Sequence, residues 1–202
     1  MPELPDIVVY CEALRRHVVG RTLERVRLSN PFLLRSVTPP IDAIVGRPVV
    51  DVRRMGKRII LDFGDGLFLV VHLMIAGRLR WRAVGGKVPA KLGIAYFDFP
   101  NGVLILTEAG TKRRASLTLV QGEAALAAID RGGLEPLEAT HAAFAERLRR
   151  ENHTLKRSLT DPRLFSGIGN AFSDEVLHRA RLSPLLLTSR LDDESIERLR
   201  LA

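Results

Sequence analysis

The spacing of hydrophobic positions changes twice along the chain, and the changes mark three stretches. In residues 5–19, Ile7, Cys11, Leu14 and Val18 recur at helical spacing; Pro5 suits a first turn and Gly20 a stop. After Gly20 the period shortens. RTLERVRLS, PVVDVRRM, KRIILDF, LFLVVHL, GRLRWRAV, IAYFDF, GVLILTEA and ASLTLV are short and rich in β-branched or aromatic residues. Turn signals such as GDG, AVGG and PNG separate them. They predict about eight strands, joined mostly by hairpins, in a sandwich or barrel rather than a parallel sheet.

From about residue 123 the pattern turns helical. RGGLEPLEA, with Gly132, Gly133 and Pro136, reads as a linker, and HAAFAERLRREN as a helix with Thr140 as its N-cap. Pro162 interrupts NHTLKRSLTDPRLF, and SGIGNAFSDEVLHRARLSP is a glycine turn feeding another helix. SRLDDESIERLRLA begins one more and ends in mid-pattern, so a longer chain is expected. The predicted fold is α+β. An N-terminal helix and an antiparallel β-sandwich occupy residues 1–122, a linker 123–139, and an all-helical domain, incomplete at its C-terminus, 140–202.

Composition narrows the function. With 46% hydrophobic and 27% charged residues, the 202-residue chain is expected to be soluble and globular. Its longest apolar stretch, LFLVVHLMIAG, is too short to span a bilayer and contains His72. No secretory leader is evident, so a cytoplasmic protein without a membrane partner is expected. Cys11 is the single cysteine, which excludes an intramolecular disulfide and a multi-cysteine zinc site within these residues. The net charge is +8, and residues 1–131 carry 20 Lys+Arg against 12 Asp+Glu, whereas residues 132–202 are balanced. Such an excess favours a polyanionic partner, nucleic acid being the commonest; simple solubility is the plain alternative.

The opening MPELPD has two readings. Proline and acid suit a helix start. Yet Met1 precedes a small residue, the usual context for its removal, which would leave Pro2 as a free secondary amine beside Glu3. An α-amino group titrates near ~7.7–8.0 in model peptides, so part of it is a neutral nucleophile near neutrality.

MPELPD, MGKRIIL, VVHL, GLEPL and TLKRSLTDPRLFSGIGNAFSDE, in that order, resemble the formamidopyrimidine-DNA glycosylase/endonuclease VIII family of base-excision repair enzymes. The resemblance runs through essentially the whole chain. It implies a β-sandwich, a helix–two-turn–helix domain, usually a C-terminal zinc finger, and DNA between the domains. It also implies a bifunctional glycosylase and AP lyase, with Pro2 attacking the sugar C1′ and Glu3 shuttling protons. Asp6 stands where the family commonly has glutamate. Lys57 matches a lysine that contacts phosphate and assists catalysis, although an exposed strand-edge lysine is the bland alternative. His72 resembles the histidine of the family's HL pair near DNA; a satisfied core histidine fits as well. Asn170, read as a helix N-cap, matches a phosphate ligand. Lys156 resembles a DNA-facing lysine, or lies on a solvated face. Glu175 is read as orienting the turn.

Two loops depart from the family pattern. HLMIAG stands for a common HLGMSG, which puts Ile75 at the methionine position beside Met74. GTKRRASL replaces a DPRRFG-like loop and has no aromatic residue; Arg113 or Arg114 could enter the duplex. The family's finger would lie beyond residue 202. With one cysteine and five histidines, no metal or other cofactor is expected in this chain, whereas full-length relatives should bind one zinc through the finger. The expected partner is duplex DNA with damaged bases or abasic sites, bound by a monomer in the cytoplasm of a bacterium, at the nucleoid. The competing readings are a diverged damaged-DNA binder with little turnover, and an N-terminal-proline tautomerase acting on small molecules.

Overall fold

Residues 1–86, 93–109 and 112–202 are described in the computed structural model. Gly110 and Thr111 of the predicted GTKRRASL loop lie outside the described residues. The chain separates into two compact units, Met1–Ile129 and Asp130–Ala202.

The first unit opens with α1 (Leu4–Val18), whose Leu4, Ile7, Cys11, Leu14 and Val18 are buried. Among the described residues eight strands follow: β1 (Arg25–Leu28), β2 (Asp51–Met55), β3 (Arg58–Asp62), β4 (Leu67–His72), β5 (Gly77–Ala83), β6 (Gly93–Phe99), β7 (Gly102–Glu108) and β8 (Ser116–Gln121). They form two antiparallel sheets of four, ordered β1-β6-β7-β5 and β2-β3-β4-β8. The predicted α+β class and the strand count hold. Only part of the pairing is by hairpins, because β5 pairs with β7 and β4 with β8.

One core lies under α1 and both sheets. It takes Ile7, Cys11 and Leu14 from the helix, Ile59, Leu61, Leu69, Val71 and Leu117 from one sheet, and Phe97, Leu104 and Leu106 from the other. Period-2 alternation puts these residues on one face of each strand. The uninterrupted runs RIIL and LFLVV have a different cause. On the opposite face of the second sheet, Ile60, Phe68 and Val70 pack with Leu126 of α2 (Glu123–Ala127). Residues 123–127, expected within a linker, therefore form a helix belonging to the first unit. They cover apolar surface that β3 and β4 would otherwise expose.

The second unit contains α3 (His141–Arg149), α4 (Leu155–Thr160), α5 (Asn170–Ala180) and α6 (Asp193–Leu201). Thr140 caps α3 by accepting from the Ala143 N–H at 3.3 Å, and Asp192 caps α6 by accepting from Ser195 at 2.8 Å. Phe144, Leu148, Leu159, Phe165, Leu177, Ile196 and Leu199 share its core.

Leu134, within the expected linker, is a brace. Its N–H donates to the Leu164 carbonyl at 2.9 Å, and its carbonyl accepts from the Ser166 N–H at 2.8 Å. Gly133 permits this close approach: a Cβ there would stand 2.5 Å from the Pro162 carbonyl oxygen and 2.8 Å from the Phe165 carbonyl carbon. Gly133→Ala should force those backbones apart and destabilise the unit by about 2 kcal/mol. Thermal unfolding together with hydrogen exchange at the Leu134 and Ser166 amides checks this.

Candidate active site

Several of the candidate residues of the first unit lie at or near the start of α1. Pro2 is buried just before the helix, and Glu3 is the N-cap, with only 2% of its surface exposed. Asp6 accepts from the Glu3 N–H at 2.9 Å, and the Glu3 carboxylate accepts from the Asp6 N–H, closing a capping box. The short Asp6 side chain therefore reaches back to the peptide that fixes Glu3. The Pro2 nitrogen lies in the Met1–Pro2 peptide bond and becomes a secondary amine once Met1 is removed.

Lys57 sits in the β2–β3 turn, which Gly56 makes possible with φ +57°. Burial lowers the pKa of its ammonium below the ordinary lysine value, while the Glu3 carboxylate pulls it back up. The two groups lie far apart in sequence yet share one electrostatic neighbourhood. His72 ends β4, directly across from Arg58 on β3 and Ser116 on β8. Burial, then the positive charges of Arg58 and Lys57, push the His72 pKa down to about 4. His72 is thus a neutral imidazole near neutrality, available as a hydrogen-bonding group rather than as a cation. Arg58 was invisible as a site residue in the sequence; only strand register puts it beside His72.

The HLMIAG segment turns tightly after β4. The Gly77 N–H donates to the Leu73 carbonyl at 2.9 Å, and a Cβ on Gly77 would fall 2.3 Å from that oxygen. Met74 adopts a left-handed φ of +52°, and Ile75 stands 58% exposed at the tip. In the basic loop, Arg113 and Arg114 are both exposed. Buried Glu108 holds the loop backbone by accepting from the N–H groups of Arg114 at 2.8 Å and Ala115 at 3.1 Å. The sequence offered no sign of that anchor, since a strand-end glutamate reads as solvated.

The second unit carries a separate group of polar residues. Gly167 has φ +80°, and Gly169 rather than Asn170 is the N-cap of α5. Asn170 is instead the exposed first residue of the helix, still at its positive end. Ser166 donates its hydroxyl to the Glu135 carboxylate, which ties the GLEPL segment to the glycine turn. Glu135 too was missed, although it stands inside a motif already singled out. Lys156 is engaged by Asp174, its ammonium donating to both carboxylate oxygens at 2.7 and 2.8 Å. Glu175 is exposed on α5 beside Asp174.

Among the described residues, no group of three or more His, Cys, Asp or Glu side chains is arranged to hold a metal ion. Nor is any described helix long and apolar enough to cross a membrane.

A family model described as "Formamidopyrimidine-DNA glycosylase N-terminal domain" matches residues 1–168. The chain belongs to the formamidopyrimidine-DNA glycosylase family. The matched span holds Pro2, Glu3, Lys57, His72, Arg113, Arg114 and Lys156; Asn170 and Glu175 fall beyond it. A formamidopyrimidine-DNA glycosylase of Pelotomaculum thermopropionicum is 32% identical over 205 residues, covering 98% of this chain and 74% of the relative. Among solved structures, the MutM (Fpg) protein of Thermus thermophilus matches with a TM-score of 0.85 at 30% identity, covering 99% of this chain and 72% of that one. A Lactococcus lactis formamidopyrimidine-DNA glycosylase, bound non-covalently to DNA containing an AP site, matches with a TM-score of 0.88 at 25% identity. That alignment covers 98% of this chain and 77% of the other.

The His72 environment carries a pH dependence. Its folded pKa is depressed, so the unfolded chain binds the proton more readily. The associated stability is fully present above pH 6.5 and is lost as pH falls from 6.5 towards about 4. His72→Gln should flatten that part of the stability profile, read as urea midpoints across the same interval.

Proposed function

We propose that the protein is a base-excision repair DNA glycosylase with AP lyase activity, removing oxidised bases from duplex DNA through a Schiff base on Pro2. The observation that carries this reading is the Glu3 carboxylate: buried, held by a capping box next to Pro2, and electrostatically coupled to Lys57.

With Met1 removed, the neutral Pro2 amine attacks the sugar C1′ and the damaged base departs with the glycosidic electron pair. The Glu3 carboxylate takes the proton from the Pro2 nitrogen after attack and delivers it to O4′ as the ring opens, leaving an iminium between Pro2 and C1′. The iminium acidifies the C2′ hydrogen. Its loss expels the 3′ phosphate, and a second elimination expels the 5′ phosphate. Lys57, its charged form weakened by burial, is suited to a phosphate that restores the lost solvation. In the second unit, Asn170 at the positive end of α5 supports a further phosphate contact. The basic excess of residues 1–131 adds non-specific attraction to the duplex. We place the protein as a monomer acting on bacterial DNA in the cytoplasm.

The test is covalent trapping. Borohydride should link the Met1-processed protein to duplex DNA bearing an abasic site, and Pro2→Gly should largely abolish the adduct. Glu3→Gln should slow base release by about 10²–10⁴-fold. Normal binding without an adduct or strand cleavage would replace the enzyme with a damaged-DNA binder.

The Lys156–Asp174 ion pair yields a second expectation. A phosphate reaching Lys156 must displace Asp174 from both of its hydrogen bonds. Asp174→Ser should tighten DNA binding about threefold, the scale of an exposed ion pair. It should also steepen the salt dependence by about one counterion. Titrations at several salt concentrations read both, and Lys156→Ala should erase the difference.

A further inference from the structure

A glycosylase that extrudes a nucleotide leaves an unstacked position in the duplex, and such positions are met by apolar or aromatic side chains inserted from the protein. The basic loop from Lys112 to Ala115 brings three cations and no aromatic ring. Beside it lies a different segment. Asn30 to Ser36 runs along the start of β8: the Arg35 N–H donates to the Leu117 carbonyl at 2.8 Å, and the Ser36 hydroxyl accepts from the Leu119 N–H at 2.8 Å. Within this segment Pro31–Leu33 forms a single 3₁₀ turn, capped by the Asn30 side chain, which accepts from the Phe32 N–H at 3.0 Å.

That turn presents Phe32 to solvent at 77% exposure, although a phenylalanine ring is among the groups most stabilised by burial. Its neighbour Leu33 packs into the core at 4% exposure, so the turn anchors one side chain and offers the next. Phe32, Arg35, Arg113, Glu108 and Ala115 line one small cavity of about 40 Å³. The cavity admits water but no nucleobase, so a base could meet only the exposed part of the Phe32 side chain. An exposed ring beside Arg35 and Arg113 combines a stacking surface with phosphate-binding charge, the pattern used for unstacked nucleic acid. Val37 and Ile75 are also exposed in this unit but have no π-face.

We propose that Phe32 stacks on the base left without a partner when the damaged nucleotide leaves the helix, while Arg35 and Arg113 hold the adjacent phosphates. Phe32 is then a specificity-determining residue that senses the gap, supplied by a segment outside the basic loop. This rests on the glycosylase reading above and adds to it the position that recognises the opposite strand.

The experiment measures binding to two duplexes, one undamaged and one carrying a tetrahydrofuran abasic analogue opposite 2-aminopurine. Wild type, Phe32→Ala and Phe32→Trp are compared. Phe32→Ala should weaken binding to the abasic duplex about tenfold, the scale of one base–aromatic stack, and leave the undamaged duplex unaffected. Phe32→Trp should restore affinity and quench 2-aminopurine fluorescence more strongly than Phe32→Ala. Since Phe32 is exposed, thermal unfolding of both variants should match wild type. Equal affinity of wild type and Phe32→Ala for the abasic duplex overturns the proposal, as does an equal loss on both duplexes. Borohydride trapping of wild type on a third duplex carrying a natural aldehydic abasic site, run alongside, separates the outcomes. A wild type that traps while Phe32→Ala binds normally defeats only this inference, whereas a wild type that neither binds nor traps defeats the glycosylase reading itself.

Discussion

Glu3 keeps a carboxylate at 2% exposure, and a charge taken out of water must be met by hydrogen bonds or opposite charge. Much of the first unit's polar geometry follows from this. The capping box with Asp6 ties Glu3 to the first turn of α1, and Lys57 faces the same neighbourhood from the β2–β3 turn. Lys57 and Arg58 in turn bear on His72, whose burial beside two cations holds it neutral. The N-terminal residues are therefore fixed by the first turn of a helix and share the electrostatic neighbourhood of the β2–β3 turn. Support of this kind is what the proposed Pro2 nucleophile would need in order to meet one carbon atom.

The same unit solves a covering problem. β3 and β4 are apolar on both faces, and one face packs against α1 and the opposing sheet. The other would be an exposed hydrophobic patch without Leu126 of α2. This accounts for a helix at the start of the 123–139 stretch expected to be a linker. In the second unit a further part of that stretch, Gly133 to Glu135, braces the glycine turn before α5. A sequence rich in Gly and Pro can thus serve as a close-packed strap as readily as a flexible connection.

The loops show how local anchoring leaves chemistry exposed. Glu108 is buried so that its carboxylate can hold the backbone of the basic loop, which leaves Arg113 and Arg114 pointing outward. Gly77 closes the turn that carries Ile75, and Met74 there accepts a left-handed conformation that a non-glycine residue adopts only with strain. Asn30 does comparable work under Phe32. In each case a polar or glycine residue fixes the backbone, and a neighbouring side chain is presented to solvent.

Elements with strong local periodicity were legible in the chain itself. α1, the eight strands and the helices after Thr140 follow from 3.6- and 2-residue spacing, caps and turn glycines, all of which act over a few residues. Pro2, Glu3, Lys57 and Asn170 could be named as candidates because their motifs are contiguous. What the sequence could not express was any relation set by strand register or packing. These include Arg58 opposite His72, Glu108 beneath the basic loop, Glu135 against Ser166, Asp174 on Lys156, and Phe32 beside Arg113. The direction and cause of the Lys57 and His72 shifts belong to the same class. Burial and the field of distant charges exist only once the chain has folded, because desolvation and Coulomb interactions depend on separation in space, not along the backbone.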